Sequence, residues 1–493
     1  KQMAADLLLY TDVTKADVLR VYEKYLKGNP AVILSITPKA QPDNVVAAAD
    51  YTPDTTRYTA PNYGYAGLKY TKATDTFDRA KIPGNGPNPV VKVPAFWRED
   101  FANGIKAIGT EDHELPLVTL TLNLPGGHLA QGAELTKAGL SRLVGLMLNE
   151  DTQNHTAEAF QFELQKLGSS IGAGSDFDSI NFSVQALRKN LPATLALLEE
   201  RIFRPKFTAE AFARIHKQTV EGFKSLKSRP ETVASNVFAK LNYGAQSALG
   251  VSQIGTEETV KNLTLKDVED YYARLITARG ATLVVVGDIA KNDIVGRLDF
   301  LKKLPDRDLP LPPLPAPPAI AKTRIHLIDI PRAAQTEFRV GYVTGMTYNP
   351  TGEYYRTLLM NFALGGSFNS RLNQNLREDK GWTYGASTST AGNKYTGAFT
   401  FSSGIRTDAT EGAFAELLKE LGHYAKDGLT AEELDFTKSA IGQRDARQYE
   451  TPAQKAAFIR RILDYNLPAT YVEEQNKILA NITKPELDAL AAK

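Results

Sequence analysis

Asn262-Leu263-Thr264-Leu265-Lys266-Asp267-Val268 opens a helix, and the way it opens recurs twice more in the chain. A threonine at the N-cap accepts from a free backbone N–H, and an acid three residues on favours the positive helix end. Asp12-Val13-Thr14-Lys15-Ala16-Asp17-Val18 and Asn481-Ile482-Thr483-Lys484-Pro485-Glu486-Leu487 share this grammar. Pro485 fits the second helical position, where its missing N–H is not needed. After the first two copies come an amphipathic turn or two, a glycine, and an apolar run that reads as a strand, Ala31 to Ile36 and Ala281 to Val286. The third copy runs to the last residue. Further out, Phe207-Thr208-Ala209-Glu210 matches Leu429-Thr430-Ala431-Glu432, and the two lie 56 and 53 residues before Thr264 and Thr483. Two landmarks at nearly constant separation predict a repeated unit with a helix over 209–226 and again over 431–448, each ending near Arg229-Pro230 or Thr451-Pro452.

Linkers divide the repeats. Seven prolines between 304 and 318 give an extended connector, and residues 40–95, with tyrosines at 51, 58, 63, 65 and 70, read as a second one packed on a surface. The resulting division is 1–39, the closing helix and strand of a preceding domain; 40–95, a connector; 96–303, a first complete domain; 304–322, the proline linker; and 323–493, a second complete domain. Strand patterns at Leu117–Leu124, Ser179–Leu187, Phe338–Val343 and Gly397–Ser402 sit among helical ones over 136–149, 156–167, 191–200, 351–363 and 410–426. The fold class is α+β: two repeated domains, each a mainly antiparallel sheet flanked by helices, preceded by the tail of a third.

Composition narrows the chemistry. With 42% apolar and 23% charged residues and no apolar run near the roughly 18 residues of a membrane span, the chain reads as globular, with no span. Fifty-eight Lys and Arg against 56 Asp and Glu give no global field for nucleic acid. The absence of cysteine rules out disulfides, thiolate metal sites and a cysteine nucleophile. None of the six histidines, at 113, 128, 155, 216, 326 and 423, lies three to five residues from another, so no helix turn offers zinc a histidine pair. His113-Glu114 continues to Leu117 across Pro116, which breaks a His-Glu-x-x-His helix. Pro125-Gly126-Gly127 and Leu364-Gly365-Gly366-Ser367 lack the continuation of a phosphate loop.

One stretch is more specific. Leu364-Gly365-Gly366-Ser367-Phe368-Asn369-Ser370-Arg371-Leu372, continuing through Leu376-Arg377-Glu378-Asp379-Lys380-Gly381-Trp382-Thr383-Tyr384-Gly385, resembles the signature of pitrilysin/insulinase-type zinc metallopeptidases. The resemblance implies two related α+β domains per half and two halves closing as a clamshell around an unfolded peptide, fused or as separate subunits. Active halves carry His-x-x-Glu-His in a helix after a Gly-rich stretch. The matching helix here is Gly139-Leu140-Ser141-Arg142-Leu143-Val144-Gly145-Leu146-Met147-Leu148, with Ser141 and Gly145 at the ligand positions and Val144 at the base position. Glu221 lies near where the distal glutamate ligand falls. This half is therefore expected to bind no zinc, the cofactor belonging to an upstream partner half on the same or another polypeptide.

Relatives of this zinc-free kind bring an Arg and a Tyr, seven residues apart, to the scissile carbonyl. Arg377 and Tyr384 match in type and spacing. A guanidinium is a permanent donor and a phenol can bond a developing oxyanion, so the pair would orient peptide opposite a metal that polarises the carbonyl and activates water. Arg371 is read as structural. The resemblance leaves two functions open: the inactive half of a zinc endopeptidase, inert alone, or a non-enzymatic peptide-binding or assembly subunit of the same family. A periplasmic location follows from family analogy only.

Overall fold

A computed structural model describes residues 2–38, 40, 41, 45, 61–71, 77, 78, 80, 81, 84, 86, 89, 92–132, 135–445 and 447–493, with side chains from Ala5 onward. Two units, Lys1–Gly84 and Asn85–Lys493, are compact in themselves.

In the first unit, helices Gln2–Thr11 and Lys15–Tyr25 adjoin, and the second is closed by the expected capping box: Asp17 N donates to Thr14 Oγ1 at 3.2 Å and Thr14 N to Asp17 Oδ2 at 3.1 Å. Ala31–Ile36 departs from expectation. It forms no strand, and Val32, Ile33, Leu34 and Ile36 are all exposed. Strand composition alone does not make a strand, which needs a ladder of backbone bonds with a neighbouring one. Of the connector tyrosines, Tyr51 and Tyr58 lie outside the described residues. Tyr63 and Tyr65 stack on each other at 5.5 Å, and they and Tyr70 are exposed rather than packed.

The second unit holds both sheets. Strands β1 (Trp97–Asp100), β2 (Lys106–Glu111), β3 (Leu117–Pro125), β4 (Ser170–Ser175), β5 (Ser179–Leu187) and β6 (Thr282–Gly287) form one sheet in the order β1-β2-β6-β3-β5-β4. Only β2 and β6 run parallel. Alternation on β3 puts Val118, Leu120, Leu122 and Leu124 into the core beneath helices Leu140–Met147 and Leu265–Leu275. The latter is capped as its sequence requires, Thr264 N donating to Asp267 Oδ2 at 2.8 Å and Asp267 N to Thr264 Oγ1 at 3.2 Å.

Strands β7 (Gln335–Val343), β8 (Thr383–Gly392) and β9 (Gly397–Arg406) form an antiparallel sheet in the order β7-β9-β8, which repeats the β3-β5-β4 half of the first sheet. Helices Thr410–Asp427, Ala431–Asp445 and Lys484–Ala491 cover its core, and Thr483 and Glu486 make the third capping box. Among the described residues no counterpart of β6 pairs with β7, and Arg324–Ile330, placed before β7 as β2 is before β3, forms no strand.

Two helices join the repeats. Pro230–Tyr243 packs on β7, with Arg339 Nε donating to Ser235 Oγ at 3.2 Å. Pro452–Asp464 packs on β2 and β6, where Phe458, Ile459 and Ile462 meet Ile108, Val284 and Val286 in a third core. The buried pair of Lys455 Nζ and Asp112 Oδ2, 2.8 Å apart, ties the same contact. No helix or strand interrupts the chain between Lys303 and Gln335, as the proline run requires.

Candidate functional site

The helix that would carry a metal motif is sealed. Leu140–Met147 starts from Gly139 in the left-handed region (φ +100°), and its Ser141, Val144 and Gly145 are all buried. Ser141 Oγ has no hydrogen-bond partner, and Val144 lies in the apolar core. Gly145 is pressed on β4: a Cβ added there would stand 2.9 Å from both Gly174 C and Ser175 N. Asn149 locks that approach, its Nδ2 donating at 2.8 Å to both Gly145 O and Ala173 O while its Oδ1 accepts from Ala173 N at 2.9 Å. A histidine at 145 would thus require helix and strand to part. Glu221, on helix Ala209–Lys227, is exposed.

Four of the six histidines are engaged elsewhere. His128 is buried against Gln131 Oε1 (3.0 Å) and the Ala248 and Val251 carbonyls, and His216 Nε2 meets Val260 O at 2.8 Å. His155 bonds Glu200, and His113 bonds Asp288 at 2.6 Å, whose carboxylate raises the imidazole above its ordinary range. No group of three or more His, Asp or Glu among the described residues is arranged to hold a metal.

The second sheet carries the exposed chemistry. Arg377 lies in the π-helical turn Gln374–Asp379, an i→i+5 widening often found at functional sites. Gly381, at φ +63°, reverses the chain so that Trp382 N donates back to Leu376 O at 3.0 Å and β8 begins beside that turn. There β8 bulges: Thr383 pairs with Ile405 and Ala386 with Ser403, so Tyr384 and Gly385 face only Gly404. Thr383 fixes the bulge, its Oγ1 accepting from Gly385 N at 3.0 Å and its hydroxyl donating to Gly404 O at 2.8 Å. Such a bulge re-aims a side chain, and Tyr384 is 91% exposed. Arg377 is partly exposed, pairs with Glu378, and lays its guanidinium 4.4 Å over the Phe368 ring.

Arg371 faces the other way. Its Nη2 donates to Glu433 Oε2 at 2.7 Å and to Gly428 O at 2.9 Å, its Nε also reaches Glu433, and the guanidinium lies over Tyr424. Glu433 raises the Arg371 pKa further, which marks a framework ion pair.

Sequence reasoning missed two residues here, Phe368 and Asn373. Buried Asn373 donates through Nδ2 to Phe368 O at 2.7 Å and accepts at Oδ1 from Ala386 N at 3.0 Å. It thereby ties the Phe368 loop to the strand just past Tyr384. Phe368 stands in the signature stretch, but nothing in a one-dimensional pattern says that its ring stays in solvent.

A repeated sheet-and-helix fold, sealed at the motif helix of the first repeat and exposing an Arg and a Tyr on the second, defines an inactive-domain relative of metallopeptidases. Residues 108–251 match the model described as insulinase (peptidase family M16), and residues 262–441 match the peptidase M16 inactive domain. Between them these cover about two thirds of the chain, which belongs to the M16 (insulinase) peptidase family. The chain is 21% identical over 341 residues to the uncharacterized zinc protease YmxG of Bacillus subtilis, covering 69% of this chain and 81% of that protein. It is 22% identical over 351 residues to the non-peptidase homolog YmxG of Helicobacter pylori, covering 70% and 79%. Among solved structures, the peptidase M16 inactive domain from Pseudomonas fluorescens superposes with a TM-score of 0.73 at 25% identity, over 80% of this chain and 94% of that one. The periplasmic protease PqqL of Escherichia coli matches in fold at a TM-score of 0.64 and 15% identity, over 97% of this chain and 49% of PqqL.

Proposed function

We propose that this chain is the zinc-free half of a zinc metalloendopeptidase: it closes a clamshell chamber and orients an unfolded peptide for hydrolysis by zinc held in a companion half. The observation that carries the reading is the contrast between the two repeats. The ligand and base positions, Ser141, Val144 and Gly145, are packed shut, whereas Tyr384 is presented outward by a bulge and Arg377 lies partly exposed in a π-turn. In that role the Arg377 guanidinium and the Tyr384 hydroxyl donate to the substrate carbonyl from the side opposite the metal. Charge developing on the carbonyl oxygen strengthens both bonds in the transition state.

A partner half has a second support. Val18 and Tyr22 on the Thr14 helix match Val268 and Tyr272 on the Thr264 helix; the former pair is exposed and the latter buried. Helix and apolar run together, residues 14–36, have the form of a unit that closes a sheet, and in this proposal the sheet belongs to the companion half. A periplasmic location is part of the same proposal, resting on the fold shared with PqqL.

The test is co-expression with the zinc-binding half. Arg377→Ala and Tyr384→Phe each lower kcat/KM on an unfolded peptide by roughly 10²-fold while bound zinc stays constant; unchanged turnover in both removes their role. The second reading, a non-enzymatic peptide-binding or assembly subunit, has support in the H. pylori relative described as a non-peptidase homolog. A companion that binds no zinc, in a complex that still binds peptide, decides for that reading.

A further inference from the structure

Phe368 is an exposed aromatic residue within a largely buried stretch. It is 65% exposed, while the nearby Leu364, Leu372 and Leu376 are buried. A single exposed ring is ordinary on a protein surface, and what sets this one apart is how firmly its loop is fixed. This loop is held on both sides. Ser370 N donates to Ser367 O at 3.2 Å, Asn373 Nδ2 donates to Phe368 O at 2.7 Å, and the Arg377 guanidinium rests 4.4 Å over the ring. Asn373 bonds Ala386 N as well, so Phe368 is anchored to the segments that carry both Arg377 and Tyr384. The result is an apolar ring that carries the Arg377 guanidinium on one face.

We infer that Phe368 determines substrate specificity: its ring receives an aliphatic or aromatic side chain of the bound peptide, next to the backbone position held by Arg377 and Tyr384. This rests on the peptide-binding reading above and adds a side-chain preference to it. A peptide main chain offers carbonyls to the two donors whatever its sequence, whereas the ring gains contact only from an apolar side chain. The cation over one part of the ring also disfavours a lysine or arginine there.

Two fluorescein-labelled decapeptides of glycine and serine, one with a single central phenylalanine and one with serine in its place, are titrated with the full chain by fluorescence anisotropy. The expected result is roughly tenfold tighter binding of the phenylalanine peptide. Phe368→Ala abolishes that difference, and Phe368→Leu keeps most of it. If both peptides weaken equally in Phe368→Ala, the ring serves only to place Arg377 and the specificity role is wrong. If the wild-type chain binds both peptides equally, the inference fails while peptide binding stands; if it binds neither, both fail.

Discussion

Replacing Gly145 by alanine tests whether the motif helix is sealed by packing or merely lacks ligands. The new Cβ would sit 2.9 Å from Gly174 C and Ser175 N, both backbone atoms of β4 that no rotamer change can move. Forcing a methyl into such a contact costs about 1–3 kcal/mol, while exchanging glycine for alanine inside a helix returns about 1 kcal/mol. The net expectation is a loss of up to about 2 kcal/mol. Gly222, in helix Ala209–Lys227 with nothing within 4 Å of its would-be Cβ, isolates the helix term. Gly222→Ala should stabilise by up to about 1 kcal/mol. Urea denaturation of both variants, followed by circular dichroism at 222 nm, should separate them with opposite signs. A Gly145→Ala protein as stable as Gly222→Ala would refute the sealed helix. So would stoichiometric zinc in the triple variant Ser141→His, Val144→Glu, Gly145→His, measured by mass spectrometry of the metal.

Lys455→Met should cost about 3 kcal/mol in the same assay, because it strands the buried Asp112 carboxylate between the two repeats; adding Asp112→Asn should restore most of it. Arg371→Ala should cost about 2 kcal/mol through its lost bonds to Glu433 and Gly428, and a cost near zero would contradict a framework role. Glu257, bonded first by Lys227 and then by Lys261, has its carboxyl held at about 2 against an ordinary 4.5. Since that pKa is depressed, its contribution is full above pH 4.5 and fades as the pH falls toward 2, which carbon NMR of the Glu257 carboxyl would follow. A midpoint near 4.5 in the wild-type chain, or one that Lys227→Gln leaves unmoved, would dismiss the pair.

Much of this fold could be read because its signals are local. All three threonine caps form, and the strands at Leu117, Ser179, Phe338 and Gly397 begin within three residues of their patterns. What stayed hidden depends on distant neighbours. Ala31–Ile36 has strand composition but forms no strand, and composition alone cannot make a ladder. Strand β4, rich in glycine and serine, has little β propensity and exists because β5 pairs with it along its length. At the site, the spacing of Arg377 and Tyr384 was legible, but the bulge that turns Tyr384 outward is set by Thr383 and Gly404 across the sheet.

The prolines at 230 and 452 show how a correct local reading can miss a global device. Both follow long helices and read as stops, yet each also satisfies the first position of a new helix, where a missing N–H is harmless. The new helices are exchanged: Pro230–Tyr243 lies on β7 of the second repeat and Pro452–Asp464 on β2 and β6 of the first. The exchange is unequal. Phe458, Ile459 and Ile462 are buried against β2 and β6, whereas Val233, Val237 and Phe238 of the other helix are only half-buried, and beyond β7 the second sheet has no paired strand among the described residues. Of the two helices, the Pro452 one, with its Lys455–Asp112 pair, makes the more deeply buried contact across the repeats. The arrangement spares the Arg377 and Tyr384 turn, which is anchored within its own repeat by Asn373 and Thr383, so that the peptide contacts proposed for it would not disturb the joint.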